Sequence, residues 1–404
     1  MARASLPVRR CPAVWRGGIT LPPGRYGGET MRDNRPPHES EEFQRALELL
    51  ATYGSEESRF TEGDAILKRM IAEGRDPIPD ALENGDDRTR FLVTRNLQVM
   101  GPLDYRDELI ARLDDPVDEV RLWAVWALEF YDEDPPVDAM ICALNDIHPR
   151  VRDSAAWNLG WFGDPRALNP LLARARVVDG DEVQPVRDAL SSLTATALYR
   201  IVRALKREEG QARRIMADAL ANAATDVVVC GPVEDRLGWT RDTNDGSHAR
   251  PAVPAMIEML DDADEEVRSS AFEFLWLLSD TRAHQRLMEL SHHEDPHVRA
   301  LAVWALSDYK DAASRDRIRE ALRDPKAIVR VNAVDGLHGL DEDTVPFFIE
   351  ALRDLDPKVR LEAAWGLACL EDSRAREALC QALDDEDPEV REVARDALDR
   401  LPED

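Results

Sequence analysis

Apolar residues in this chain keep step with an arginine. Taking that arginine as position zero, apolar side chains fall at −1, +3, +6 or +7 and +10, which is one face of an α-helix. The arginine itself returns at a nearly fixed interval. Arg121 to Arg152, Arg268 to Arg299, Arg299 to Arg330 and Arg360 to Arg391 are each 31 residues, and Arg330 to Arg360 is 30. Self-similarity at this period predicts a solenoid, in which each repeat buries its apolar face only against its neighbours.

A clear repeat reads D-x-D-P-x-V-R-x-x-A-A-W-x-L, as in Asp354 to Leu367. Asp295, Asp356 and Asp387 each precede a proline, the signature of an N-cap followed by proline in the first helical turn. A second helix follows, as in Ser373 to Leu383, where Ala375, Ala378, Leu379, Ala382 and Leu383 are apolar. The next repeat begins at once, so neighbouring helices are expected to run antiparallel. The fold class is therefore all-α, a solenoid of about ten short helical hairpins centred on Arg90, Arg121, Arg152, Arg187, Arg213, Arg268, Arg299, Arg330, Arg360 and Arg391.

The repeats at Arg90, Arg187 and Arg213 are degenerate. Arg213 and Arg268 lie 55 residues apart, 24 more than one period. The surplus sits around Thr225 to His248, rich in Gly, Asp, Asn and Pro, with no helical pattern. This insertion is expected to be flexible and to be cut first by protease. Ahead of the repeats, helices are predicted over Glu39 to Tyr53 and Glu62 to Glu73, with a break at Asp76, Pro77 and Pro79. The expected organisation is a basic segment over 1–38, a helical cap over 39–84 and a solenoid over 85–404.

Charge changes this picture in one respect. The net charge is −28, and 47 of the 52 basic residues are arginine, leaving only Lys68, Lys206, Lys310, Lys326 and Lys358. An acidic, lysine-poor surface is that of a protein adapted to molar salt, where screening removes most self-repulsion. It argues against nucleic acid or an anionic membrane as partner, since phosphate binding needs clustered cations. No stretch approaches the roughly 18 apolar residues of a membrane-spanning helix. Residues 1–38 run the other way: seven arginines against Glu29 and Asp33 give +5 and leave −33 for the rest. They lack the apolar core of a signal peptide and are read as disordered, with Met31 a candidate start. Cys11, Cys142, Cys230, Cys369 and Cys380 are scattered without a CxxC, which points to a reducing cytoplasm with no disulfide framework and no zinc site. Cys369 and Cys380 are expected as small core residues.

The DPxVRxxAxxxL segments, such as Asp295 to Leu306 and Asp387 to Leu398, resemble HEAT repeats, and among them the short alanine-rich type of phycobilisome lyase subunits. The resemblance covers roughly Gly85 to Asp404. An aspartate stands six residues before the arginine at Asp115, Asp146, Asp262, Asp324, Asp354 and Asp385, with His293 in its place before Arg299. The resemblance implies that these aspartates and Arg121, Arg152, Arg268, Arg299, Arg330, Arg360 and Arg391 form a structural ladder through the turns. Arginine suits such a ladder because its fork serves two acceptors and keeps its charge.

Tryptophan keeps register too. Trp126, Trp157, Trp304 and Trp365 all lie at +5. At about 100° per residue that is about 140° round the helix, whereas the apolar positions centre near about −80°. Trp123 at +2, Trp161 at +9 and Trp276 at +8 project to the same side. The resemblance implies that this helix lines the concave surface, so these seven residues are the candidate protein-binding face, rimmed by Glu129, Asp153, Glu273 and Glu362. The alternative is that the rings lie flat between helices and cap the core edge.

Catalytic motifs are missing: there is no Walker loop, dinucleotide turn, GxSxG elbow or HExxH. The cluster His292, His293 and His297 with Glu294 and Asp295 falls in one turn, where neighbouring histidines rarely converge on an ion, so no metal, cofactor or catalytic residue is expected. The reading is a non-enzymatic, cytoplasmic adaptor. A resemblance to the HEAT-repeat taxis proteins of haloarchaea implies a role between the chemotaxis response regulator and archaellar accessory proteins. Two alternatives remain open: a bilin lyase or isomerase subunit, implied by the repeat type, and a HEAT-like nucleic-acid-processing protein.

Overall fold

The computed structural model describes residues 37–51, 57–100, 104–131, 133–224, 247–340 and 343–401. Every regular element among them is helical, 22 α-helices joined by short turns and 3₁₀ segments. The basic segment before residue 37 and most of the insertion, 225–246, lie outside the described residues, and so do the expectations placed on them.

After two entry helices, Glu41–Leu50 and Glu57–Ala72, the chain builds ten hairpins. Each consists of a partner helix followed by the helix that carries the repeating arginine. The arginine helices are Asp87–Met100, Asp118–Leu128 and Pro149–Phe162, then Val183–Ser192, Gly210–Ala224, Glu265–Leu278, Pro296–Ala305, Ala327–Gly336, Pro357–Leu370 and Pro388–Arg400. The first three belong to a compact unit Met1–Phe162 and the other seven to a second unit, Gly163–Asp404. Within each unit consecutive arginine helices stack directly on one another, forming one layer, and the partner helices form the other.

The N-caps follow from sequence. Asp295, Asp356 and Asp387 accept the backbone N–H two residues on, at 2.9 Å in each case. Asp76 and Pro77 lie in the expected break after Ala72, and Pro77 and Pro79 also start the next helix. That is the partner helix Ile78–Asn84, with the Asp76 carboxylate accepting the Ile78 N–H at 3.0 Å. Proline in a first turn forfeits no helical hydrogen bond. This helix packs against the arginine helix Asp87–Met100 as its hairpin partner.

The core of the second unit shows how tightly adjacent hairpins fit. Val329, Ala333, Phe348, Val359, Ala363, Leu367 and Leu379 are all buried in one cluster. Phe348 lies against the arginine helix at Gly366, where a Cβ would meet its Cε1 at 2.1 Å. Alanines and this glycine let the helices approach closely enough to exclude water.

Two cysteine expectations are corrected. Cys369 and Cys380 are free and exposed rather than core. Cys369 stands at +9 from Arg360, on the outward side of its helix, and Cys380 lies just past the buried Leu379 on the partner helix. Among the described residues no helix is long and apolar enough to cross a membrane.

Candidate functional site

The sequence points to two sets of residues at different places on each hairpin. The first is the turn between partner helix and arginine helix. Its geometry repeats closely. The Asp354 carboxylate accepts the Asp356 N–H at 2.8 Å, which shapes the turn. Arg360, in the first turn of the following helix, donates Nη1–H to the Asp354 carbonyl at 2.9 Å. The rest of its fork reaches the next hairpin, where Nε and Nη2 both lie 2.8 Å from the Asp385 carboxylate. Arg360 thus holds its own turn and the next one, the nearest-neighbour coupling on which a solenoid depends.

The same bidentate rung links Arg90 to Asp115 and Arg121 to Asp146 in the first unit, and Arg299 to Asp324 and Arg330 to Asp354 in the second. Arg213 reaches Asp262 at 3.0 Å across the insertion, so the rung survives 24 extra residues. The pattern has gaps. Twenty-five residues after Arg268 stands His293, and after Arg152 stands Val177. Arg152, Arg268 and Arg391 bond the carbonyls of their own turns, through Asp146, Asp262 and Asp385. His293 replaces aspartate in shaping its turn, since Nδ1 accepts the Asp295 N–H at 3.0 Å, but it brings no carboxylate to Arg268. Burial works against ionisation of Asp324, Asp354 and Asp385. Hydrogen bonds from Arg299, Arg330 and Arg360 prevail and hold these carboxyls below the usual range.

A second row of charges, which the repeat pattern did not reveal, lies in the loops between hairpins. Asp164, Asp280 and Asp372 each cap the following helix and pair with the arginine two residues on. Arg282 also donates to the Arg250 carbonyl at 2.9 Å, and Arg374 to Asp343. The bonds from Arg282 lower the Asp280 carboxyl to about 2. The signal was present as a recurring D-x-R, masked by the abundance of both residues.

The second set is the outer face of the arginine helices, at register positions +2, +5, +8 and +9. The structure divides the seven tryptophans into two kinds. In the first unit Trp123 and Trp126 meet edge to face, centroids 4.7 Å apart, and Trp126 Nε1–H donates to Ser154 Oγ on the next arginine helix at 2.9 Å. The Arg150 guanidinium stands 6.0 Å from the Trp126 ring centre. Trp161 is half-buried. In the second unit Trp276 and Trp304 stack across adjacent helices, centroids 4.5 Å apart. Trp157 and Trp365, by contrast, keep 41% and 47% of their surface in water. A single register thus holds both rings that bridge helices and rings that do not.

The acids of this face behave unlike those of the turns. Burial raises the carboxyls of Glu129, Glu273 and Glu362 above the usual range, with Asp218 adding to the effect at Glu273 and Asp335 at Glu362. Near Glu362 lies a group that the sequence reading did not pick out. Asp335 at +5, His338 at +8 and, on the next repeat, Glu362 at +2 offer donor atoms all within 4.8 Å of one another. His292, His293 and His297 form no such group with Glu294 and Asp295, since only the Asp335 cluster meets that geometry among the described residues.

Comparison with known proteins agrees with this architecture. HEAT repeats match at residues 106–194, 253–338 and 316–399, more than half of the chain. No curated protein matches by sequence. Among solved structures, a Kap95:Nup1 complex is 15% identical over 88% of this chain and 57% of that chain, with a TM-score of 0.52. Kap121p is 14% identical over 89% of this chain and 45% of its own, with a TM-score of 0.50. Yeast importin-beta is 15% identical over 88% and 54%, also at 0.50. The chain therefore spans about half the length of these structures, and at such identity the likeness concerns fold alone. The repeating arginine, its turn and the two-layer stack of hairpins are those of HEAT repeats, and the chain belongs to the HEAT-repeat family.

Proposed function

We propose that this chain is a non-enzymatic protein-binding scaffold and that the outer face of its arginine helices takes the partner. The observation that supports this best is the exposure of Trp157 and Trp365, at one register position, on a helix face that also carries Glu129, Glu273 and Glu362. A large rigid ring with a single N–H donor, standing in water, is the side chain most enriched in interface hot spots. The acids around it favour a partner with basic residues at the rim, which would speed encounter and set orientation. One neighbour in fold was solved with a second component, as the Kap95:Nup1 complex, and we carry that use of the solenoid here.

The narrower part of the proposal is a cytoplasmic adaptor in taxis, between the chemotaxis response regulator and archaellar accessory proteins. It rests on the acidic, lysine-poor composition and the helical N-terminus. The test is capture at high salt with wild type and with a Trp157→Ala, Trp365→Ala variant, followed by cross-linking to locate the contact. A partner cross-linked to the outer face and lost by the variant is the expected result. A partner held equally by both, or cross-linked to the partner helices, contradicts the proposal.

A further inference from the structure

We propose that Asp335, His338 and Glu362 form a site for one divalent transition-metal ion on the outer face of the second unit. Three observations lead there. The donor atoms, one per residue, lie within 4.8 Å of one another, so that one ion can reach all three. The residues come from stable elements: Asp335 from the helix Ala327–Gly336, His338 from the 3₁₀ turn Leu337–Gly339 that continues it, and Glu362 from the helix Pro357–Leu370. Those two helices stack, and the Arg330–Asp354 rung ties their turns together. His338 is further placed by Phe348, its ring 5.1 Å from the phenyl centre.

The third observation is a charge left unanswered. In the turns of this unit each partly buried ladder carboxylate meets an arginine, as Asp324, Asp354 and Asp385 do. Asp335 and Glu362 instead face each other, both half-buried, and no arginine or lysine among the described residues pairs with either. Two like charges held together out of bulk water favour a cation between them. The donor set says which cation. One imidazole nitrogen with two carboxylate oxygens suits zinc, manganese or cobalt, whereas calcium and magnesium favour oxygen donors alone. Three protein ligands leave a coordination position for water or for a donor from a bound partner.

The proposal is independent of the tryptophans and is tested on the full chain by calorimetric titration with zinc ion at high salt, in excess magnesium to occupy diffuse carboxylate sites. Wild type, His338→Ala, Glu362→Gln and His292→Ala are compared. The expected result is one zinc per chain, weakened by more than about tenfold in the first two variants and unchanged in the third. Cobalt supplies a second readout, because a visible absorption band of the bound ion should vanish with His338→Ala. The exposed position of His338 leaves folding intact, which circular dichroism checks. Equal binding by wild type and His338→Ala, or loss with His292→Ala instead, overturns the site.

Discussion

The turn ladder and the outer face both carry carboxylates, aspartates in the one and mainly glutamates on the other, and these shift in opposite directions. In the turns, Asp324, Asp354 and Asp385 are held ionised by arginines that also bond the backbone. On the outer face, Glu129, Glu273 and Glu362 are desolvated, and their carboxyls shift upward. In a chain of net charge −28, acids alone therefore mark nothing. What distinguishes the regions is whether an arginine answers the carboxylate. Answered charge ties hairpin to hairpin, while unanswered charge beside exposed indole is surface held ready for something else.

The comparison can be broken by substitution, and the largest effect is expected in the ladder. Arg360 and Asp385 are 8% and 11% exposed as side chains, so Arg360→Ala should cost about 3 kcal/mol by stranding a carboxylate and two turn carbonyls. Arg268, whose rung position holds His293, should cost only about 1 kcal/mol. Denaturant midpoints measure both, and equal losses would contradict the account of the rung.

Next come the tryptophans. Trp126→Ala gives up the Ser154 bond and the Trp123 contact and should cost about 2 kcal/mol. Trp157→Ala should cost less than about 1 kcal/mol, because much of the ring is already in water. A Trp157 loss as large as that of Trp126 would make the whole face structural.

A smaller effect is the pH response, and its sign differs between the regions. The ladder carboxyls have folded values below their unfolded ones. Their contribution is full above the ordinary aspartate range and is lost as pH falls through the folded values. Glu129 and Glu273 have folded values above their unfolded ones, so they oppose folding at neutral pH and cease to do so as pH falls through the raised values. Glu129→Gln and Glu273→Gln should therefore raise the melting temperature at neutral pH and make no difference below the ordinary glutamate range. A neutral-pH loss in both variants would reverse the assignment. Smallest of all, His293→Asp should add the missing carboxylate opposite Arg268 and stabilise by about 0.5–1 kcal/mol in the same melts.

The hairpins were legible in sequence because a period of about 31 residues with proline and aspartate at fixed offsets encodes both helix starts. The break at Asp76 and Pro77 was legible, but the short helix that follows was not, because proline opens a helix as readily as it ends one. The outward direction of +5 followed from helical geometry, but the fate of each ring did not. Trp304 and Trp365 share a register position; one stacks on Trp276 and the other stays open, according to what the preceding repeat carries at +8. That position is tryptophan before Trp304 and His338 before Trp365. The Asp335, His338 and Glu362 group escaped for the same reason. It spans two repeats, and only the stacking of helices brings +2, +5 and +8 together.

The most direct test of the division between ladder and face measures one partner's affinity and the chain's stability in two variants. The partner is the protein captured by wild type. The Trp157→Ala, Trp365→Ala variant should melt close to wild type and bind more than about tenfold more weakly. Arg330→Ala should melt clearly lower and, at a temperature where it is folded, bind as tightly as wild type. Full affinity in the tryptophan variant, with affinity lost in a folded Arg330→Ala, would contradict the account and place recognition in the turns.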